Sequence, residues 1–221
     1  MMNNMFSMFD PTSTFIGFKM NWLSMLIVMI LLQMNYWVFL SQYMKLFLNL
    51  MIMIYKEMKQ MISPSPIIFF LSLMMVIFIN NLFGLLPYIF TSTSHIMLTL
   101  SMALMLWLTF NMYGWFKKTS DMFIHLVPMS TPNLLIPFMV LIESVSNIIR
   151  PITLSVRLMA NMTAGHIMIL LISSSCVNLS FKYSFIIIFI QISLMFLELA
   201  VAMIQAYVFT TLSSLYYNEI N

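Results

Sequence analysis

The stretch from Leu154 to His166 reads LSVRLMANMTAGH and places Arg157 inside an apolar segment. The chain of 221 residues is 62% hydrophobic and 7% charged, whereas about 25% of the residues in a soluble domain are charged. An arginine at the centre of a membrane helix costs about 2.5–3.5 kcal/mol on insertion scales. Several apolar runs reach the roughly 20 residues that cross a bilayer. The sequence therefore predicts an all-α polytopic membrane protein, a single membrane domain over residues 1–221, in which Arg157 has a function that offsets its cost.

Composition and motifs exclude several functional classes. The net charge of +3 is small and scattered, and there is no basic patch with interleaved aromatic residues, so nucleic acid is not an expected partner. Cys176 is the single cysteine, which excludes an intrachain disulfide and a cysteine-based metal site. The chain has no HExxH, GxGxxG or GxxxxGK(S/T) motif, the signatures of metalloproteases, dinucleotide-binding domains and phosphate-binding loops. We therefore expect neither a metal nor a cofactor.

Hydropathy predicts three ordinary spans before the last third of the chain, at residues 20–40, 67–90 and 96–116. The apolar stretch within residues 41–63 is too short to span, so we expect an interfacial helix there. Lysines gather in residues 41–63 and 117–133. By the positive-inside rule both loops lie on the cytoplasmic or matrix side, which places the N-terminus on the other side, the intermembrane space of a mitochondrion. The first residues lack the character of a signal or transit peptide.

Two further apolar segments are too long for an ordinary span. Residues 134–174 and 181–217 would form helices of ~60 and ~55 Å, against a hydrocarbon core of ~30 Å. We therefore expect an antiparallel hairpin of two long, strongly tilted membrane helices, turned at residues 173–180 and ending on the matrix side. A hairpin centred near residue 177 would bring Glu198 opposite residue 156, next to Arg157.

Polar residues recur at intervals of seven on both long helices. Because seven residues are nearly two turns, each set shares one helix face, with neighbours ~10 Å apart along the axis. The first set is Glu143, Arg150 and Arg157, extended by Asn161; the second set is Gln191, Glu198 and Gln205; His166 lies further along the first helix. Carboxylates and an imidazole spaced along tilted helices can pass protons, and a fixed arginine can hold a partner carboxylate ionised.

The structural alternative is a buried ion pair between one of the two arginines and Glu198 or Glu143, which would only hold the helices together. Intramembrane ionisable groups are functional sites by default, and a neutralised pair would not need further polar groups on both helices. His95 and His125 are expected to be solvated loop residues. Other classes that fit the pattern are a stand-alone proton-coupled transporter, a purely structural membrane subunit and a subunit of a proton-pumping respiratory complex.

Three stretches resemble the subunit a (subunit 6) family of mitochondrial F-type ATP synthases. They read INNLFGLLPYIFTSTSH at residues 79–95, IESVSNIIRPITLSVRLMANMTAGH at 142–166 and LELAVAMIQAYVFTTLSSLY at 197–216. The RLxANxxAGH and QAYVF elements are highly specific together, and the family's segment plan covers essentially the whole chain. The resemblance implies the proton-translocating subunit of an ATP synthase in the mitochondrial inner membrane, with no nucleotide site in this chain.

The resemblance also implies a role for individual residues. Arg157 matches the family's essential arginine, which faces a carboxylate of the rotating c-subunit ring and blocks leakage between two offset half-channels. His166 and Glu198 match residues of the inlet from the intermembrane space, and Glu143 matches the acid of the outlet to the matrix. Supporting polar positions are Asn161, Gln205, Arg150 and Gln191. The implied partners are the c-subunit ring, the peripheral-stalk and small membrane subunits, the lipid bilayer and protons.

Overall fold

The computed structural model describes residues 9–11, 14–15, 18–25, 42–61, 66–86, 89–127, 132, 135–176 and 181–220. Most of the expected first span, residues 20–40, and part of the expected turn at residues 173–180 lie outside the described residues. Near the N-terminus, two short strands, β1 (Thr14–Phe15) and β2 (Phe18–Lys19), pair antiparallel with Thr14 opposite Lys19. A 3₁₀ turn, Met20–Leu23, follows directly.

Six α-helices account for most of the described chain. They are α1 (Gln42–Met61), α2 (Ile67–Gly84), α3 (Ile96–Lys117), α4 (Thr119–His125), α5 (Ile136–Cys176) and α6 (Phe181–Ile220). A second 3₁₀ turn, Ser92–Ser94, lies between α2 and α3. Helices α2, α3, α5 and α6 are long and apolar enough to cross a membrane, which agrees with the predicted polytopic membrane protein. Both α5, with 41 residues, and α6, with 40, are single helices.

The expected boundaries differ from the observed ones at a few places. Helix α2 ends at Gly84, before the expected span end at residue 90, and the chain then enters the loop that leads to the second 3₁₀ turn. Helix α1 is a full 20 residues, longer than its apolar stretch suggested, because the lysine-bearing residues that follow continue the helix. The tilt of α5 and α6 and the interfacial position of α1 stay predictions.

Buried apolar side chains join the helices into one bundle. Met74 and Ile77 of α2, Leu158 of α5 and Phe209 of α6 belong to one buried cluster. At the other end of α2, Phe70 is fully buried, and its ring lies 6.0 Å from that of Phe110 and 6.1 Å from that of Tyr217. Edge-to-face and tilted ring pairs at such distances contribute beyond their buried area. The bundle thus holds α5 and α6 against α2 and α3.

Both helices of the α5–α6 hairpin carry large exposed apolar side chains. On α6, Phe189 is 74% exposed and Phe196 70% exposed, and on α5 Phe138 is 62% exposed. Apolar surface of this extent is suited to hydrocarbon or to a further apolar helix, not to water. The polar residues of the hairpin therefore lie either in the bundle or at the border of this surface.

Candidate functional site

The two long helices face each other in a register that differs from the expected one. A Cβ atom added to Gly165 would lie 2.8 Å from both Cδ and Oε1 of Glu198, and the Gln205 side-chain amide donates to the backbone oxygen of Arg157 at 3.3 Å. The expectation that Glu198 lies opposite residue 156 is therefore wrong. Gly165 has no side chain, so α6 can approach α5 closely enough for the Glu198 carboxyl group to pack there.

Glu198 packs against Gly165, and His166 is the next residue of α5. Glu198 is 8% exposed and His166 5% exposed. Both carboxyl oxygens of Glu198 and Nε2 of His166 are buried without a hydrogen-bond partner among the described residues. Buried polar atoms in native proteins nearly always have a partner, which can be water. Each of these two groups is therefore suited to bind a proton and to hydrogen-bond to water between the helices.

A cavity of about 360 Å³ lies beside Glu198. Its polar lining comes from three helices and consists of Asn81, Asn161, Glu198 and Gln205. Asn81 is 1% exposed, and its Oδ1 has no partner among the described residues. Asn81 is not one of the predicted site residues, although two adjacent asparagines in an apolar helix are a signal in the sequence. Gln191 is half-buried and is not part of the cavity lining.

The end of α2 holds the other side of the His166 imidazole in place. The imidazole forms a hydrogen bond with the backbone of Gly84, and the ring of Phe9 lies edge-on at 6.3 Å between centroids. Gly84 therefore contributes its backbone to the site, and the N-terminal segment covers one side of the imidazole.

Arg157 is exposed on the surface of the bundle. Within the ranges that the structure describes it has no ion pair. Its neighbour Asn161, one turn further along α5, is exposed as well. The structure therefore does not contain the structural alternative, a buried ion pair between Arg157 and Glu198. The guanidinium is free to meet a group that is not part of this chain.

A second polar cluster lies toward the start of α5. Arg150 is 2.8 Å from Oε2 of Glu219 and 3.7 Å from Oε1 of Glu143, and its guanidinium lies 4.9 Å from the centre of the Tyr216 ring. These residues line a cavity of about 540 Å³ together with Ser144 and Asn147. Glu219 was missed, because a carboxylate near the end of the chain gives no periodic signal. Arg150 and Glu143 thus form an ion pair, but both side chains are partly exposed, so it is not the buried pair of the structural alternative.

The two clusters are far apart along α5. Glu143 and His166 are separated by about 35 Å at 1.5 Å per residue, and Arg157 lies between them on the exposed surface. Each cluster has its own cavity. Along α5, Arg157 therefore lies between two separate cavities that each have some polar lining, and it has no ion pair among the described residues.

The chain is similar to known proteins over essentially its whole length. The family model described as ATP synthase A chain matches residues 4–218. The chain is 48% identical to ATP synthase subunit a of Drosophila melanogaster over 225 residues, 46% identical to that of Anopheles gambiae over 226 residues and 45% identical to that of Aedes aegypti over 226 residues. Each comparison covers 100% of both chains. The chain belongs to the ATP synthase A chain family.

No cluster of three or more histidine, cysteine, aspartate or glutamate residues able to bind a metal ion occurs in the described part of the chain. Five of the expected residues line the two cavities: Glu198, Gln205, Asn161, Glu143 and Arg150. The site of this family member is therefore an arrangement of protonatable and hydrogen-bonding side chains.

Proposed function

We propose that this chain is the stator proton channel of a mitochondrial F-type ATP synthase, a multi-pass inner-membrane protein that works in a complex with the other subunits. Membership of the ATP synthase A chain family supports the assignment. The single structural observation that carries it is Arg157, which is exposed and unpaired within the described ranges, between two polar cavities.

The inlet half-channel is assigned to the cavity beside Glu198. A proton arriving from the intermembrane space is taken up by His166 or Glu198, each of which is buried with atoms that have no partner among the described residues. Asn81 and Gln205 supply hydrogen bonds that hold water in an otherwise apolar cavity. The proton then passes to a carboxylate on the ring of c subunits, which packs against the exposed apolar side of α5 and α6.

Arg157 separates the two half-channels electrostatically. A guanidinium keeps its charge under all physiological conditions, so it stabilises the ionised form of the ring carboxylate that passes it. The same fixed positive charge opposes the direct passage of a proton from one cavity to the other. Gln205, which donates to the backbone oxygen of Arg157, ties α6 to this point of α5.

The outlet half-channel is assigned to the cavity that contains Glu143. With the lysine-rich loops on the matrix side, the N-terminus lies in the intermembrane space and α5 runs from the matrix outward, so the Glu143 end faces the matrix and His166 the opposite side. Each proton that moves down a membrane potential yields about 2.3 kcal/mol per 100 mV. Several protons must therefore contribute to each ATP, which is why a rotating ring is the expected partner.

The proposal is tested by ATP-driven proton pumping and passive proton flux in vesicles that hold the whole complex. Arg157→Ala should abolish pumping in an assembled complex, with or without a passive leak. Arg157→Lys should fail too, because a desolvated lysine can lose its proton whereas arginine does not. Unchanged pumping in either variant would mean that the arginine is only structural.

A further inference from the structure

We propose that the buried turn from Thr91 to His95 is the outer part of the proton inlet, with His95 as a second proton-binding group beyond His166. The inference rests on the proposed role of His166 and Glu198. It assigns a role to a histidine that the sequence pattern treats as an ordinary loop residue.

The turn is a buried polar segment in an apolar bundle. Thr91, Ser92, Thr93 and Ser94 are between 3% and 6% exposed. Two of the hydroxyl groups satisfy each other, since Thr91 and Ser94 lie 2.9 Å apart and Ser94 also donates to the Thr91 backbone oxygen at 2.7 Å. These bonds hold the turn in shape. They explain why Thr91 and Ser94, two of its four hydroxyl-bearing residues, are present.

Thr93 and His95 are not explained by the shape of the turn. Thr93 Oγ1 and His95 Nε2 are buried and have no hydrogen-bond partner among the described residues. A buried donor or acceptor without a partner is unfavourable unless water satisfies it. His95 as a whole residue is half-buried. Both atoms can form hydrogen bonds with water molecules along a proton pathway.

The turn adjoins the His166 site directly. Gly84 connects the two, because its backbone forms a hydrogen bond with the His166 imidazole and a Cβ atom added to it would lie 3.4 Å from Cγ2 of Thr91. Gly84 therefore lies between His166 and the turn that carries the unpartnered atoms of Thr93 and His95. His95 also lies at the start of α3, opposite the Lys117 end that the positive-inside rule assigns to the matrix.

Aromatic rings lie against both imidazoles. Phe9 covers one side of His166 with its ring edge. Trp22 and Phe90 lie 5.4 Å and 5.1 Å from the His95 ring, between centroids. These contacts hold the His95 imidazole in position, with Nε2 buried and without a hydrogen-bond partner among the described residues.

The test uses hydroxyl deletion at Thr93 with a matched control. Valine replaces threonine with little change in shape, so Thr93→Val removes the unpartnered hydroxyl, and Thr93→Ser keeps it. Thr99→Val is the control, because the buried Thr99 hydroxyl bonds only to the backbone oxygens of His95 and Ile96 in its own helix turn. His95→Phe removes the proton-binding atoms independently, and His95→Gln keeps a polar side chain.

Passive proton conduction is measured in vesicles that hold the assembled membrane sector after the nucleotide-binding sector has been stripped. We expect a several-fold loss in Thr93→Val and in His95→Phe, near-normal conduction in Thr93→Ser and Thr99→Val, and an intermediate rate in His95→Gln. Equal losses in Thr93→Val and Thr99→Val, or normal conduction in both Thr93→Val and His95→Phe, would overturn the inference. Glu198→Gln in the same assay separates the two proposals, because normal conduction there would instead refute the proposed inlet.

Discussion

Gly165 and Glu198 determine the geometry of the inlet at the scale of single residues. A methyl group at Gly165 would lie 2.8 Å from the Glu198 carboxyl group, closer than van der Waals contact allows. The same substitution favours the helix by roughly 1 kcal/mol, because alanine has the higher helix propensity. Any loss of function in Gly165→Ala would therefore come from displacement of the carboxyl group and not from a weakened helix.

We expect Gly165→Ala to assemble normally and to pump protons several-fold more slowly than the wild type. The measurement is ATP-driven acidification of vesicles, normalised to the amount of assembled complex. The double variant Gly165→Ala with Glu198→Asp is the matched rescue, since aspartate is one methylene shorter and withdraws its carboxyl group from the new methyl. This account would be contradicted if the double variant pumped protons no faster than Glu198→Asp alone and no faster than Gly165→Ala alone.

Arg150 links helix α5 to the end of helix α6, at the scale of elements. Its side chain is 31% exposed, and that of Glu219, 2.8 Å away, is 59% exposed. A pair of this exposure contributes about 0.2–1 kcal/mol. Its removal therefore should not unfold the hairpin, but it leaves Glu143 and Glu219 in one cavity without a neutralising cation.

We expect Arg150→Gln to assemble with nearly normal thermal stability and to pump more slowly, by a smaller factor than Arg157→Ala. Arg150→Lys is the control that retains the positive charge and should be close to the wild type. The test measures both the pumping rate and the melting temperature of the purified complex. A large drop in melting temperature would show that the ion pairs of Arg150 mainly hold α5 and α6 together.

The bundle as a whole depends on the aromatic contact that joins α2, α3 and α6. Phe70 is fully buried against Phe110 and Tyr217, whereas its neighbour Phe69 is 50% exposed. Truncation of a buried phenylalanine costs about 3–5 kcal/mol in a soluble core. In a membrane, the contribution to this destabilisation from transfer of the side chain out of water is smaller. We therefore expect Phe70→Ala to destabilise the bundle by on the order of 2 kcal/mol.

Phe70→Ala should lower the temperature at which the complex loses this subunit, and Phe70→Leu should lower it less because it keeps most of the volume. Phe69→Ala serves as the control at the adjacent, exposed position and should leave that temperature unchanged. Thermal dissociation in detergent measures all three. Equal effects at both positions would mean that the aromatic contact does not hold the bundle together.

The sequence by itself determined the class of protein, the long helices and the polar faces. Apolar runs of sufficient length form membrane helices because every backbone polar group must be satisfied within the helix. The seven-residue spacing from Glu143 to Arg157 fixes a common face because the helical period is local. The family motifs around Arg157 were equally visible without a structure.

Only the tertiary structure decided which residues meet. The position of Glu198 along α5 depends on how far the helices slide past each other, and that is set by close approach at Gly165, a contact between distant parts of the chain. The Arg150–Glu219 pair and the buried turn at Thr91–His95 likewise arise from packing between separate elements. Helical periodicity specifies the face of each helix, but it contains no information on the axial register between two helices.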